Sequence, residues 1–334
     1  MPEEHNWTEL ARSIQKGRTV LVLGPDALPF YRVGPSEGVT SSHTLTDLSG
    51  SEGVTSSHAL TDPSGSEGVT SSHTLTDTDP SFSQIARRRI QEKLNGQITH
   101  FYGRDNLFLF ASPRAKRDAI DCLEETITEA EWLPDSELLR KIVAIPFPVV
   151  LNFNPDKYAY DAFLKYYHAP QFDYFTAKHK TGHYGIQHDP DGYDHPVVYN
   201  LCGSVLDALD SVILDHYDLF GLLKALLNDT GVSEKLLNKL QVADRFILLG
   251  FELERWYFQV FLHYLNRLDK EAFNNYNQNF PILSHVGDDS RAFVMKQFNI
   301  EHFAPSREDF EKLYEACKTL GILRKLQDLS LIHI

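Results

Sequence analysis

The chain opens with apolar residues at helical spacing. Trp7, Leu10, Ala11 and Ile14 fall at i, i+3, i+4 and i+7, which predicts a helix over residues 5–16 that stops at Gly17. The period then changes. Thr19–Leu23 (TVLVL) is too short for a helix and almost wholly apolar, so it reads as a buried strand, with Gly24-Pro25-Asp26 as the turn that ends it. Helical patterns recur at residues 85–94 (IARRRIQEKL, ending at Gly96), at 114–131 with Ala119, Ile120, Leu123 and Ile127 as the apolar face, and around Leu138, Leu139 and Ile142. Further helices are predicted at 219–227, 234–240 and 256–265, with a capping signal, Ser306-x-x-Asp309, before a last one. Strand-like runs lie at 107–111, 148–151, 196–201, 245–249, 281–284 and 300–303. Strands separated by helical segments predict an α/β fold: a Rossmann-like, mainly parallel sheet with helices on both faces, plus a helical insert.

One stretch obeys neither period. GVTSSHTLTDLSGSE from Gly38 returns as GVTSSHALTDPSGSE from Gly53 and GVTSSHTLTDTDPSF from Gly68, a repeat of 15 residues. Ser, Thr, Gly and Asp dominate it. Too little apolar surface is available to offset the ordering entropy, so residues 35–80 are expected to be a disordered loop expanded by tandem duplication. Its histidines, His43, His58 and His73, owe their spacing to copying, and no metal site is expected from them.

Composition narrows the function. The 334 residues carry a formal net charge of −14, which gives no electrostatic footprint for nucleic acid. No apolar run reaches the ~18 residues that span a membrane. The start, MPEEHNWTEL, has no basic and apolar leader pattern. Cys122, Cys202 and Cys317 are far apart and form neither a disulfide framework nor a CxxC zinc knuckle, so no zinc is expected. The expected setting is reducing and cytoplasmic, without nucleic-acid or membrane partners.

Strand ends at Gly24, Asn152, Gly203 and Gly250 all carry small or polar residues. Ligands of parallel sheets bind at such carboxyl ends, so one crevice is expected there. Each residue also has a simpler reading. Asn152 is either a ligand contact or a turn-former ahead of Pro155. Cys202 is either a small buried hydrophobe or a thiolate. The glycines serve tight turns with or without a ligand. His179, His183, His188 and His195 share an irregular stretch unsuited to fixed metal geometry. Glu252 and Glu254 fit a crevice rim or open solvent, and Trp256 and Tyr257 fit the core.

In order along the chain, these strand ends resemble the motif set of the sirtuin-like domains. The first motif, GAG-[IV]-S, is matched by LVLGPDAL at Gly24, with Asp26 for the second glycine and Leu28 for the serine. TTN-[YF]-D is matched by VLNFNPD at Asn152 and Phe153, with Asn154 for the acid. LHG is matched by NLCGS at Leu201 and Gly203, with Cys202 for the histidine. The fourth, LG-[YF]-S…D, is matched by ILLGFELERWY at Gly250 and Phe251, with Glu254 near the acidic position. The absence of CxxC pairs resembles the sirtuin-like domains of bacterial anti-phage and conflict proteins.

The resemblance implies an NAD- or ADP-ribose-binding domain over residues 1–303. Gly24, Pro25, Asp26, Phe153, Gly203, Ser204, Gly250, Phe251 and Glu254 would hold the nucleotide, and Asn152 and Cys202 would stand at the catalytic positions. In active members the histidine is the general base. A thiol with a pKa of ~8.5 stays protonated at neutral pH, and loss of a positioned base costs ~10²–10⁴ in rate. An impaired module is therefore expected. An active NAD glycohydrolase using another histidine as base, or an assembly scaffold, are the alternatives. Asp26 would set a carboxylate against the pyrophosphate. LSLIHI at residues 329–334 resembles read-through of a sequencing adapter. Residues 304–328 are accordingly expected to be a linker helix to a missing effector or adaptor domain, or a route to a homo-oligomer.

Overall fold

The computed structural model describes residues 7–32, 80–129, 132–176, 185–228, 230, 232–251, 255–268, 277–280, 296–297, 300–303 and 307–327. Most of the repeat segment, the expected strand at 281–284, Ser306 and the final LSLIHI lie outside them.

Helix α1 (Trp7–Gln15) leads into β1 (Thr19–Leu23). β1 is the pivot of a seven-stranded sheet. One side of it holds β6 (Val149–Asn152), β8 (Val197–Asn200) and the edge strand β7 (Gln171–Tyr174). The other side holds β9 (Arg245–Leu249), β10 (Asn277–Phe280) and β11 (Ile300–Phe303). Every pairing in this sheet is parallel. The α/β, Rossmann-like fold expected from the strand–helix alternation is what the chain adopts.

The apolar runs of β1, β6, β8 and β9 are continuous because both faces of the sheet are covered. Successive side chains point to opposite faces. Leu21, Leu23, Val150, Val198, Ile247 and Leu249 therefore enter one core cluster, and Val20, Val22, Leu151, Tyr199, Phe246 and Leu248 enter the other. The first face is covered by α1, α2 (Phe82–Lys93), α3 (Pro113–Thr128), α4 (Ser136–Ala144), α5 (Tyr158–Tyr166) and α9 (Arg307–Thr319). The second is covered by α6 (His216–Leu227), α7 (Glu234–Gln241) and α8 (Trp256–Leu268).

The insert between β1 and β6 is not purely helical. It also carries an antiparallel hairpin, β3 (Ile98–Tyr102) with β4 (Leu107–Phe110), and the small pair β2 (Phe30–Arg32) with β5 (Trp132–Pro134). Residues 304–328 are not a linker over their described length. Phe310, Leu313 and Cys317 of α9 are fully buried in the first core cluster, and the fully buried Arg324 guanidinium is held by four backbone carbonyls. The domain therefore extends to Gln327. Among the described residues no helix is long and apolar enough to cross a membrane.

Candidate functional site

The chain leaves β1 toward β6 and leaves β9 in the opposite direction, toward β10. The carboxyl ends of β1 and β9 thus mark a topological switch point, where parallel sheets place ligands. Two glycine turns meet there. Gly24 N–H donates to the Leu249 carbonyl (2.7 Å) and Asp26 N–H to the Gly250 carbonyl (3.2 Å). A Cβ on Gly24 would sit 2.3 Å from the Gly250 oxygen. One on Gly250, whose φ is +72°, would sit 2.1 Å from the Ala27 nitrogen. The glycines are required by this backbone contact whether or not a ligand is bound.

Next to this contact, β6 and β8 end in register at Asn152 and Asn200. Asn152 Nδ2 donates to Asn200 Oδ1 (3.2 Å), and Asn200 Nδ2 donates to the Asp156 carbonyl (2.6 Å). Asn152 Oδ1 accepts from Asn154 N–H (3.1 Å), and Asn154 Nδ2 donates to the Pro25 carbonyl (3.3 Å). The network ties three strand-end loops together. It also buries Asn152, whose amide is used inside the protein. Asp156 completes the turn: its Oδ1 accepts from Tyr158 N–H (3.0 Å), and its Oδ2 is buried without a hydrogen-bond partner among the described residues. Burial pushes its carboxyl up to about 7, partly opposed by the Tyr158 N–H.

In front of these loops lies an open cleft with a cavity volume of about 100 Å³, roofed by α2 and the β3–β4 turn. The sequence-expected residues Pro25, Phe153 and Cys202 line it together with Asn154. Most of the lining is apolar, including Phe82, Ile90, Leu107 and Phe108. Cys202 is partly exposed, and enclosure by its neighbours pushes its thiol up to about 12. A neutral thiol at this position is no proton acceptor near pH 7.

Asp26 does not project into the cleft. It is buried, and its Oδ1 accepts from Ser81 Oγ (2.5 Å) and Ser83 Oγ (2.9 Å), the hydroxyls at the start of α2. Ser81 is the N-cap of that helix and forms a capping box with Gln84. The Arg255 guanidinium stands 3.8 Å from Asp26 Oδ2 and donates to Tyr257 Oη (3.2 Å), which in turn donates to the Asp105 carbonyl (3.0 Å). The expected repulsion between Asp26 and a pyrophosphate is thus removed by geometry: the carboxylate is consumed by a helix terminus and an arginine.

The remaining expected residues divide as follows. Gly203 (φ +85°) backs the cleft, its Cβ position 2.2 Å from the Ser211 carbonyl oxygen. Ser204 is buried and bonds to Asp207, and Phe251 is buried against Phe153 and Phe258. Glu252 and Glu254 lie outside the described residues, as do His179 and His183. His188 and His195 stack on each other at 4.3 Å, beside Gln171 at the start of β7. His195 precedes β8 and Cys202 follows it, so the strand alone separates them by about 13 Å. Neither His188 nor His195 can stand in for the base, because both are at the amino ends of the strands.

Sequence reasoning missed Asn200, Arg255, Asp105 and His216. Asn200 had a signal, since it ends its strand as Asn152 does. His216 opens α6, and its Nε2 lies 3.3 Å from Oδ2 of Asp105 in the cleft wall. Nothing in local sequence joins two residues so distant along the chain. Among the described residues no three His, Cys, Asp or Glu side chains gather as metal ligands would.

Fold and site together define a Rossmann-like α/β domain with an apolar cleft at its switch point. No protein-family model matches the chain, and no curated protein matches it.

Proposed function

We propose that this chain is a sirtuin-like module of a bacterial defence or signalling protein, whose cleft holds NAD or ADP-ribose without cutting it. One observation carries the reading: Pro25, Phe153, Asn154 and Cys202, from three separated motifs, line a single cleft at the switch point. The elevated thiol of Cys202 supports the impaired chemistry, because it leaves the ribose hydroxyl without a base. The cleft's apolar wall suits a planar ring, and its few polar groups suit orientation of a ribose.

The test is nicotinamide release from NAD by the wild-type protein and by Cys202→His. The wild type is expected to release none above background, and the imidazole to restore a measurable rate. Release by the wild type at the rate of an active glycohydrolase would refute the impaired reading. The second reading, an active NAD glycohydrolase, has one observation in its favour: Asp105 of the cleft wall is paired from behind with the His216 imidazole, which itself lines a neighbouring groove. It requires wild-type release that is lost in His216→Asn.

A further inference from the structure

Asp26 occupies the place at which a phosphate would normally be held. A helix amino terminus with free hydroxyls and a nearby arginine is an anion site. At α2 the anion is the protein's own carboxylate, bonded to Ser81 and Ser83 and faced by Arg255. The β1 turn offers no alternative, since its backbone is closed against Gly250. A negatively charged ligand in the cleft must therefore be met elsewhere.

The same helix supplies the other cation. Ser83, Ala86, Arg87 and Ile90 lie at i, i+3, i+4 and i+7 and line the cleft as one face of α2. Arg87 sits one turn beyond the Asp26 latch. Its guanidinium lies 5.6 Å from the Phe101 ring centroid, and among the described residues no carboxylate pairs with it. Its neighbours differ: Arg88 pairs with Glu92, and Arg89 with Glu129. Arg87 also lines a second groove, of about 620 Å³, shared with Arg32, Arg88, Arg89 and the single carboxylate Glu92. It thus stands where the apolar cleft opens into a cationic one, on a chain whose net charge is −14.

We infer that Arg87 is the anion-binding residue of the cleft, and that its ligand is a phosphorylated nucleoside whose ring lies among the apolar residues and whose phosphate lies against Arg87. This rests on the nucleotide-binding reading above and moves the phosphate from the β1 turn to α2. A planar guanidinium can hold two phosphate oxygens at once, and the Phe101 ring beneath it favours its place on the cleft wall.

Calorimetric titration with ADP-ribose and with adenosine tests it on the full chain. The wild type is expected to prefer ADP-ribose. Arg87→Gln is expected to lose about tenfold or more of ADP-ribose affinity, the worth of a charge-assisted bond, and to leave adenosine affinity unchanged. Arg87→Lys, which keeps the charge and loses the planar fork, is expected to keep only part of the preference. Arg18→Gln, which removes a surface charge paired with Asp244 at the other end of β1, leaves it intact. Asp26→Asn leaves it within about threefold, because the carboxylate is not at the phosphate. Three results overturn the inference alone: equal wild-type affinity for the two ligands, an unchanged preference in a folded Arg87→Gln, or a tenfold gain in Asp26→Asn. A wild type that binds neither ligand overturns the nucleotide reading as well.

Discussion

Gly250 is the residue at which the β9 turn meets the β1 turn. It follows an apolar strand, and the structure gives it a φ of +72° with a Cβ position 2.1 Å from the Ala27 nitrogen. Gly250→Ala is therefore expected to destabilise the domain by more than ~3 kcal/mol, from positive-φ strain plus displacement of the β1 turn. Urea unfolding measures it, and a loss below ~1 kcal/mol would show that the two turns separate easily. Asp156 was not legible, because a buried, half-partnered carboxylate looks in sequence like any turn aspartate. Its carboxyl and that of Asp173 are both raised to about 7, chiefly by burial. The raised value means the folded state binds protons that the unfolded chain, near pKa ~4, has released. Stability from these groups is thus full below about pH 4 and is lost as pH rises toward 7. Unfolding midpoints between pH 4 and 8 are expected to show this decline, and Asp156→Asn with Asp173→Asn to flatten it. An unchanged slope in the double variant would assign the pH dependence to other groups.

At the scale of elements, the long amphipathic and fully buried segments were readable and the short ones were not. β1, β6, β8 and β9 matched their apolar runs because a parallel sheet buries both faces. α5, with the sequence YAYDAFLKY, has aromatic residues on several faces and no side-chain cap, so its helical period is obscured. β7 and β3 are an edge strand and an exposed hairpin strand, and their burial is too partial to leave a two-residue pattern. The linker expected at the final helix rests on the LSLIHI that follows it, not on the helix's own pattern. Its apolar residues are few but all meet the core, where Phe310, Leu313 and Cys317 are fully buried. Arg324 then secures the segment by donating to the carbonyls of Gly192 (2.6 Å), Val143 (2.6 Å), Ile145 (2.8 Å) and Phe147 (2.8 Å). Arg324→Met would remove the guanidinium donor from all four carbonyls, of which Ile145 keeps a bond from Phe147 N–H, and a loss of about 3–5 kcal/mol is expected. A loss under ~1 kcal/mol in chemical denaturation would contradict the clamp. Ending the chain at residue 306 is expected to abolish cooperative unfolding altogether, because it uncovers the buried face of α1 as well.

For the whole molecule, strand-end punctuation located the crevice, and topology explains why: reversal of strand order at β1 leaves the carboxyl ends of β1 and β9 facing different connections. The site's inner composition was only half visible. Pro25, Phe153 and Cys202 reach the cleft, whereas Asn152, Ser204 and Phe251 serve the loops behind it. The residues that decide its charge, Arg87, Arg255 and Asp105, come from a helix face, a post-strand turn and a hairpin, which no linear motif connects. Under the proposed function this cleft binds NAD or ADP-ribose and leaves it intact. Calorimetry with ADP-ribose, run beside NAD under the same conditions with nicotinamide followed in the same samples, tests it most directly. Saturable binding of both with no nicotinamide released is the expected result. Absence of binding at millimolar ligand, or steady release of nicotinamide, would contradict it.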